Sequence, residues 1–369
     1  MNRSTRSRST RLLTLCVAFA AASATAGDWS SFRGDPSLSG KAAGQLAAEP
    51  ELRWSFEVEE GFESTAAIVG ETVYVGALDG KLYAVELASG SLRWSYEAAD
   101  EIKSSPLVVD GTIYFGDEAG TFHAVDAATG VGKWTYETDG GITSSANLGG
   151  GCVLFGSYDN HLYCLEPGNG ALKWKVETEG YVHGSPAIVG KSVFSGGCDG
   201  QLRAISLADG SVEKSLELGG TVAAGVCVDR GRAYIGTFES EFFAIDLENF
   251  KPAWTYQHSE RRFPFYASAA ADESVVVVTG RDKIVRGLDP ASGKPLWEHM
   301  SETRIDGSPV LVDERALIGT GSGKLLSLSV KDGKVLWQFD SGSGFVASPA
   351  VGGGRLVIGT VDGALLCFG

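Results

Sequence analysis

From about residue 51 to residue 369 the chain writes short apolar runs in a fixed order, each broken by turn residues. Between Ser104 and Trp134 the runs are Ser105-Pro-Leu-Val-Val109, Thr112-Ile-Tyr-Phe-Gly116 and Phe122-His-Ala-Val-Asp126. Asp110-Gly111 and Ala119-Gly120 separate them, and Thr129-Gly130 leads into a fourth run carrying Trp134. Runs of about five residues, rich in β-branched and aromatic types and punctuated by Gly and Asp, predict β-strands. No segment sustains a 3.6-residue apolar period, so helical repeats are disfavoured.

The unit recurs. Its closing mark falls at Trp54, Trp94, Trp134, Trp174, Trp254, Trp297 and Trp337, with Lys214 where one more Trp is due, and the spacing is 40 residues except for one interval of 43. A period near 40 residues belongs to stacked repeats or propellers. The turn between the second and third runs is Asp79-Gly80, Ala119-Gly120, Asp159-Asn160, Asp199-Gly200, Glu239-Ser240, Asp282-Lys283, Ser322-Gly323 and Asp362-Gly363. Such pairs suit a two-residue hairpin with positive φ at both central residues. Eight hairpins in four-stranded units predict an all-β fold, an eight-bladed β-propeller of antiparallel blades. The C-terminal unit stops at Gly369 one strand short, and Glu51-Leu-Arg-Trp54 precedes the first full unit. The N-terminal strand is therefore expected to complete the last blade. Each Trp is expected where blades meet, with Lys214 marking the weakest junction.

Ala124 to Trp134 fits the pattern Ala-x-Asp-x-x-Thr-Gly-x-x-x-Trp in full. Other units depart from it at Glu86, Ser89, Glu166, Asn169, Lys214 and Phe250. Over residues 51–369 this pattern resembles the repeat of pyrroloquinoline quinone (PQQ) enzyme propellers. That repeat is shared by the BamB-like, non-catalytic propeller subunit of the outer-membrane β-barrel assembly machinery. The resemblance implies a propeller; it does not choose among the functions that propellers carry.

Arg3, Arg6, Arg8 and Arg11 precede an apolar stretch from Leu12 to Ala22 and then Ala24-Thr-Ala26. This is the layout of a secretory signal peptide, cleaved after Ala26. The expected organisation is signal peptide 1–26, extended N-terminal segment 27–50 and propeller 51–369, in a periplasmic or secreted protein. Leu13-Thr-Leu15 lacks the small residue expected before a lipidated Cys16, so no lipid anchor is expected. Without the leader, 27 basic residues face 46 acidic ones, a formal charge of −19. That charge opposes nucleic acid and anionic lipid as partners, and no direct membrane insertion is expected. The 50 glycines, about twice the usual share of roughly 7%, fall at turns and at one strand position, Gly76, Gly116, Gly156, Gly196, Gly236, Gly319 and Gly359. Cys152, Cys164, Cys198, Cys227 and Cys367 read as structural thiols, since Cys164 and Cys367 stand in a slot held by Ala84, Ala124, Ala204 and Ala244 elsewhere. The histidines form no ligand set, so no metal site is expected.

One aligned column changes chemistry from unit to unit. Just before the first strands stand Glu63, Lys103, Thr143, His183, Ala223, Tyr266, Asp306 and Val346. If the column rings a channel mouth, Glu63, Lys103, Thr143, His183, Tyr266 and Asp306 are the candidates for touching a small ligand or peptide. The unit with three extra residues brings Arg261, Arg262, Phe263 and Phe265 together, with Arg281 and Arg304 nearby, as a candidate partner-binding loop. Three functions follow: a non-catalytic interaction scaffold with a protein partner in the cell envelope, a PQQ-dependent quinoprotein dehydrogenase, and a small-ligand or carbohydrate-binding propeller. The family's catalytic members carry long insertions, a vicinal disulfide and calcium ligands that cannot be placed in this chain. Catalysis is accordingly not expected, and PQQ with calcium belongs to the dehydrogenase reading alone.

Overall fold

The structure is a computed structural model and describes residues 27–369. The predicted leader and its cleavage point lie outside the described residues. Eight four-stranded antiparallel sheets form a ring, and no helix occurs among the described residues. Blade 1 comprises Ala67–Val69, Thr72–Gly76, Lys81–Glu86 and Leu92–Glu97, and blades 2 to 7 repeat that order. Blade 8 comprises Ala350–Gly352, Arg355–Gly359 and Ala364–Phe368, and the N-terminal strand Leu52–Glu57 pairs with the last of these. Both ends of the propeller chain thus lie in one sheet. The backbones of Glu51 and Gly369 exchange hydrogen bonds there at 3.0 and 3.3 Å.

The middle strands are covered on both faces by neighbouring blades, which is why Thr72–Gly76 is buried throughout. The outer strand Leu92–Glu97 is an edge and keeps its polar side in water. In every blade the ladder shifts register beside the closing Trp or Lys214. The bulge turns that side chain towards the next blade. Directly across from it lies the small-residue slot, as in Ala84 opposite Trp94 and Cys164 opposite Trp174.

The junctions also explain Phe250. Gly90, Gly130, Gly170, Gly210, Gly293 and Gly333 press against the Trp of the preceding unit, and an added Cβ would overlap its ring. At residue 250 that glycine is replaced, and Lys214 stands where the facing Trp is due. Phe250 is 6% exposed and fills the space, while Lys214 Nζ stands 5.8 Å from its ring. The amine donates to Leu247 O and Glu248 O at 3.3 and 2.8 Å, much as Trp174 Nε1 donates to Leu207 O at 3.3 Å. The junction at Lys214 thus carries two complementary changes.

Three further details differ from expectation. The hairpins carry positive φ at one residue only, Gly80, Gly120, Asn160, Gly200, Ser240, Lys283, Gly323 or Gly363. Ala77 N bonds Lys81 O and Gly80 N bonds Ala77 O, a three-residue loop in which only the last residue must be left-handed. Cys152 and Cys164 are not thiols: on adjacent strands of blade 3, with Cα atoms 5.4 Å apart, they form a disulfide. Cys198, Cys227 and Cys367 are free. The 27–50 segment does not run straight, because residues 27–42 coil round the channel and meet the innermost strand of seven blades and Gly353, just past that strand, in the eighth. Gly27 O accepts from Gly353 N, Trp29 pairs with Ile68, and Ser30 O accepts from Val108 N. Pro36 O accepts from Asn147 Nδ2 and Ile188 N, Ser37 O from Val228 N, Ser39 O from Ala271 N and Gly40 O from Leu311 N.

Candidate functional site

Each loop entering a blade is held by the residue just before the variable column. Phe62, Ile102, Ile142, Val182, Val222, Phe265 and Phe345 press on Gly359, Gly76, Gly116, Gly156, Gly196, Gly236 and Gly319 of the preceding blade, where an added Cβ would overlap them. This close approach is what the glycine column provides. Two residues past the variable column a belt of hydroxyls circles the channel. Thr65 N donates to Ser105 Oγ at 3.0 Å, Ser105 N to Ser145 Oγ at 2.9 Å and Ser145 N to Ser185 Oγ at 3.0 Å. Ser268 N, Ser308 N and Ser348 N donate likewise to Ser308, Ser348 and Thr65 at 3.1, 2.9 and 3.3 Å. The belt breaks only at Gly225, which has no hydroxyl.

With its neighbours fixed in this way, the variable column converges. Glu63, Lys103, Thr143, His183, Ala223, Tyr266, Asp306 and Val346 line one funnel, the belt lies beneath them, and Phe32 of the coiled segment reaches the floor. The funnel leaves about 130 Å³ for solvent-sized groups.

Most of its polar side chains already hold one another. Lys103 Nζ lies 2.8 Å from Glu101 and 3.6 Å from Glu118. Burial opposes its charge, but the Glu101 hydrogen bond and the surrounding carboxylates raise its pKa overall. Asp306 is gripped by Arg281 Nε at 2.6 Å and Arg304 Nε at 3.0 Å. The Arg281 guanidinium also lies 4.3 Å from the centre of the Tyr266 ring. His183 Nδ1 meets Tyr158 OH at 2.5 Å, and burial pushes the imidazole pKa down. Glu63 has no hydrogen-bond or ion-pair partner among the described residues. Desolvation by the funnel walls raises its pKa, Lys103 opposes this, and Glu101 and Asp306 add to it.

The partner loop divides. Arg261, Arg262 and Phe263 are exposed, and Arg261 Nη1 lies 3.8 Å from Met300 Sδ. Phe265 is 4% exposed and packs on Gly236, so it is a core residue and not a surface anchor. Arg281 and Arg304 belong to the funnel rim through Asp306. The sequence reading missed a second variable column on the hairpin between strands two and three: Leu78, Glu118, Tyr158, Cys198, Phe238, Arg281, Gly321 and Val361. The backbone N–H of each bonds the incoming loop of its own blade, as Leu78 N does Gly61 O and Arg281 N does Pro264 O. Its variability, two residues after the glycine column, was the available signal. Tyr181, Tyr158, His183, Tyr266 and Phe238 form a chain of ring contacts along one side of the mouth, stacked between the first three and tilted or edge-on at the last two. The opposite side is charged. No group of three or more His, Cys, Asp or Glu among the described residues is placed to hold a metal ion.

Solved structures share this architecture. BamB from Moraxella catarrhalis is 18% identical with a TM-score of 0.76, over 86% of this chain and 99% of that one. Quinohemoprotein alcohol dehydrogenase from Comamonas testosteroni is 15% identical with a TM-score of 0.81, over 94% and 81%. The computationally designed Ika8 protein is 16% identical with a TM-score of 0.74, over 88% and 99%. At such identities the likeness is one of fold. Comparison with curated proteins gives no match. The family model described as outer membrane protein assembly factor BamB matches residues 44–256 and 281–368, most of the chain, and the chain therefore belongs to that family.

Proposed function

We propose that this protein is an exported, non-catalytic propeller that serves as a protein-interaction scaffold in the cell envelope, in the assembly of outer membrane proteins. The observation that carries the reading is the membership of its repeats in the BamB family across nearly the whole ring. Supporting it, Lys103 and Asp306 of the funnel are already engaged in ion pairs, while Arg261, Arg262 and Phe263 are exposed on a loop that the family match skips. The Cys152–Cys164 disulfide suits an oxidising compartment outside the cytosol. An exposed aromatic preceded by two arginines is the composition of an interface anchor.

The alternative reading, a PQQ-dependent dehydrogenase, draws on the dehydrogenase neighbours. The funnel's residues do not fit that cofactor and its calcium. Asp306, the best-placed carboxylate besides Glu63, already has an arginine on each oxygen, and these cations repel a divalent ion. The open space is also below the roughly 300–1,000 Å³ of ordinary small-molecule clefts.

The test is crosslinking and capture in the exporting cell with wild type and the double variant Arg261→Glu/Arg262→Glu. Envelope proteins captured by wild type and lost by the variant support the scaffold. Identical capture sets, or dye-linked alcohol oxidation by purified protein after addition of PQQ and calcium, overturn it.

A further inference from the structure

The coiled N-terminal segment places one cation where no charge answers it. Arg33, with φ 64°, turns its side chain inward and is 1% exposed. Its Nη2 donates to Ala269 O at 2.9 Å and to Pro309 O, each immediately before the innermost strand of blades 6 and 7. Nε and Nη1 have no partner. Among the described residues no carboxylate comes within ion-pair distance of it. Asp35, the nearest in sequence, is used by the backbone N–H and hydroxyl groups of Ser37 and Ser39. Cys227 does not supply a counter-charge, because burial pushes its thiol up to about 12. Burial also pulls the guanidinium down to about 10, which leaves it charged at neutral pH.

The same level of the channel holds a second unsatisfied group. Ser268 precedes Ala269, one of the two acceptors of Arg33, and its hydroxyl has no partner although it is buried. The other hydroxyls of the belt each accept a backbone N–H from the preceding blade, but Gly225 N makes no such bond to Ser268 Oγ. Unpaired buried donors on a full charge are costly enough that proteins supply an acceptor.

We infer that the waist of the channel, beneath Phe32, binds a small inorganic anion of halide size on Nε and Nη1 of Arg33. Arg33 is 1% exposed and Gly40 closes over its Nη2 side, where an added Cβ would overlap the guanidinium; with Nε and Nη1 unpartnered inside the same enclosure, a monatomic ion fits better than phosphate or a ligand's carboxylate. The ion enters as the segment docks and is held with it. The protein's negative charge opposes anion entry, so occupancy follows halide concentration in the millimolar range and above.

Two experiments decide it. A crystal of the mature protein grown or soaked in sodium bromide is expected to show an anomalous peak within hydrogen-bond distance of Arg33 Nε or Nη1. Water in that place, with bromide only at surface positions, overturns the inference. In melts at constant ionic strength, replacing sodium gluconate by chloride or bromide is expected to raise the Tm of wild type by roughly 2–4 °C. Arg33→Met is expected to show no such rise. An equal halide effect in both proteins overturns the inference, and if the variant does not fold, the bromide crystal decides alone.

Discussion

The paired change at Lys214 and Phe250 gives the sharpest test of how the blades are joined. At six junctions a glycine lies flat on a Trp ring, and at this one an aromatic side chain lies under an amine. Phe250→Gly removes a nearly buried ring, for which truncation costs about 3–5 kcal/mol. It also relieves a left-handed backbone at φ 55°, worth about 1–2 kcal/mol for a residue with a Cβ. The expected net loss is about 1–4 kcal/mol. Lys214→Trp drives an indole into space that Phe250 occupies, an overpacking cost of about 1–3 kcal/mol. The double variant Lys214→Trp/Phe250→Gly restores the arrangement of the other junctions and is expected to be as stable as wild type or more so. The coupling between the two sites is then about 2 kcal/mol or larger, in the upper part of the range for residues in contact or beyond it. Urea unfolding followed by circular dichroism measures it without interference from the new Trp. Additivity of the two single variants within about 0.5 kcal/mol would refute the claim that the two departures are one structural unit.

Trp54→Ala, at the strand that closes the ring, is expected to lower stability by about 3–5 kcal/mol in the same assay. Trp94→Ala should cost less, because its ring is only partly buried whereas Trp54 is 8% exposed and donates to Leu87 O at 2.9 Å. Reduction of Cys152–Cys164, or its replacement by Ser and Ala, removes a crosslink spanning 12 residues and should cost about 3 kcal/mol; an unchanged urea midpoint under reductant would contradict the bond. Glu63 has a raised folded-state pKa, so its favourable contribution is complete below the unfolded value of 4.5 and is lost as pH rises through the folded value. Glu63→Gln should therefore raise the Tm at pH 7 and lose that advantage by pH 4, and a gain constant with pH would count against the electrostatic explanation.

Most of the ring was legible because its physics repeats. Eight copies of one strand pattern, one turn and one Trp leave few architectures, and the unpaired strands at Trp54 and Phe368 leave one way to close it. The convergence of Glu63, Lys103, His183, Tyr266 and Asp306 was legible for the same reason, since equal offsets in equal blades must meet on the axis. Errors arose where a side chain's role depends on its neighbour across a junction. Phe265 reads as a loop aromatic until the incoming loops are aligned, when it falls in register with Phe62 and Phe345 and proves to be what Gly236 makes room for. Cys152 and Cys164 occupy two columns that are ordinary when taken singly, and only the antiparallel register brings them together.

Residues 27–42 escape repeat logic altogether, because they occur once and touch every unit. A segment that bonds to the innermost strand of seven blades and to Gly353, just past that strand, in the eighth imposes on a near-symmetric ring a direction the repeats lack. Gly225 stands where the hydroxyl belt would otherwise continue, and a Cβ there would crowd Ser268 Oγ and Leu38. The break in the belt is thus the imprint of the segment on the blades. The sequence of the ring and the sequence of its N-terminal coil have been fitted to each other at this point. The floor of the funnel is accordingly shaped by a segment that precedes the residues the family model matches. Gly225→Ser would restore the belt on paper and, by displacing Leu38, is expected to loosen the coil and raise proteolysis within residues 27–42; an unchanged cleavage rate would show that the coil does not depend on that break.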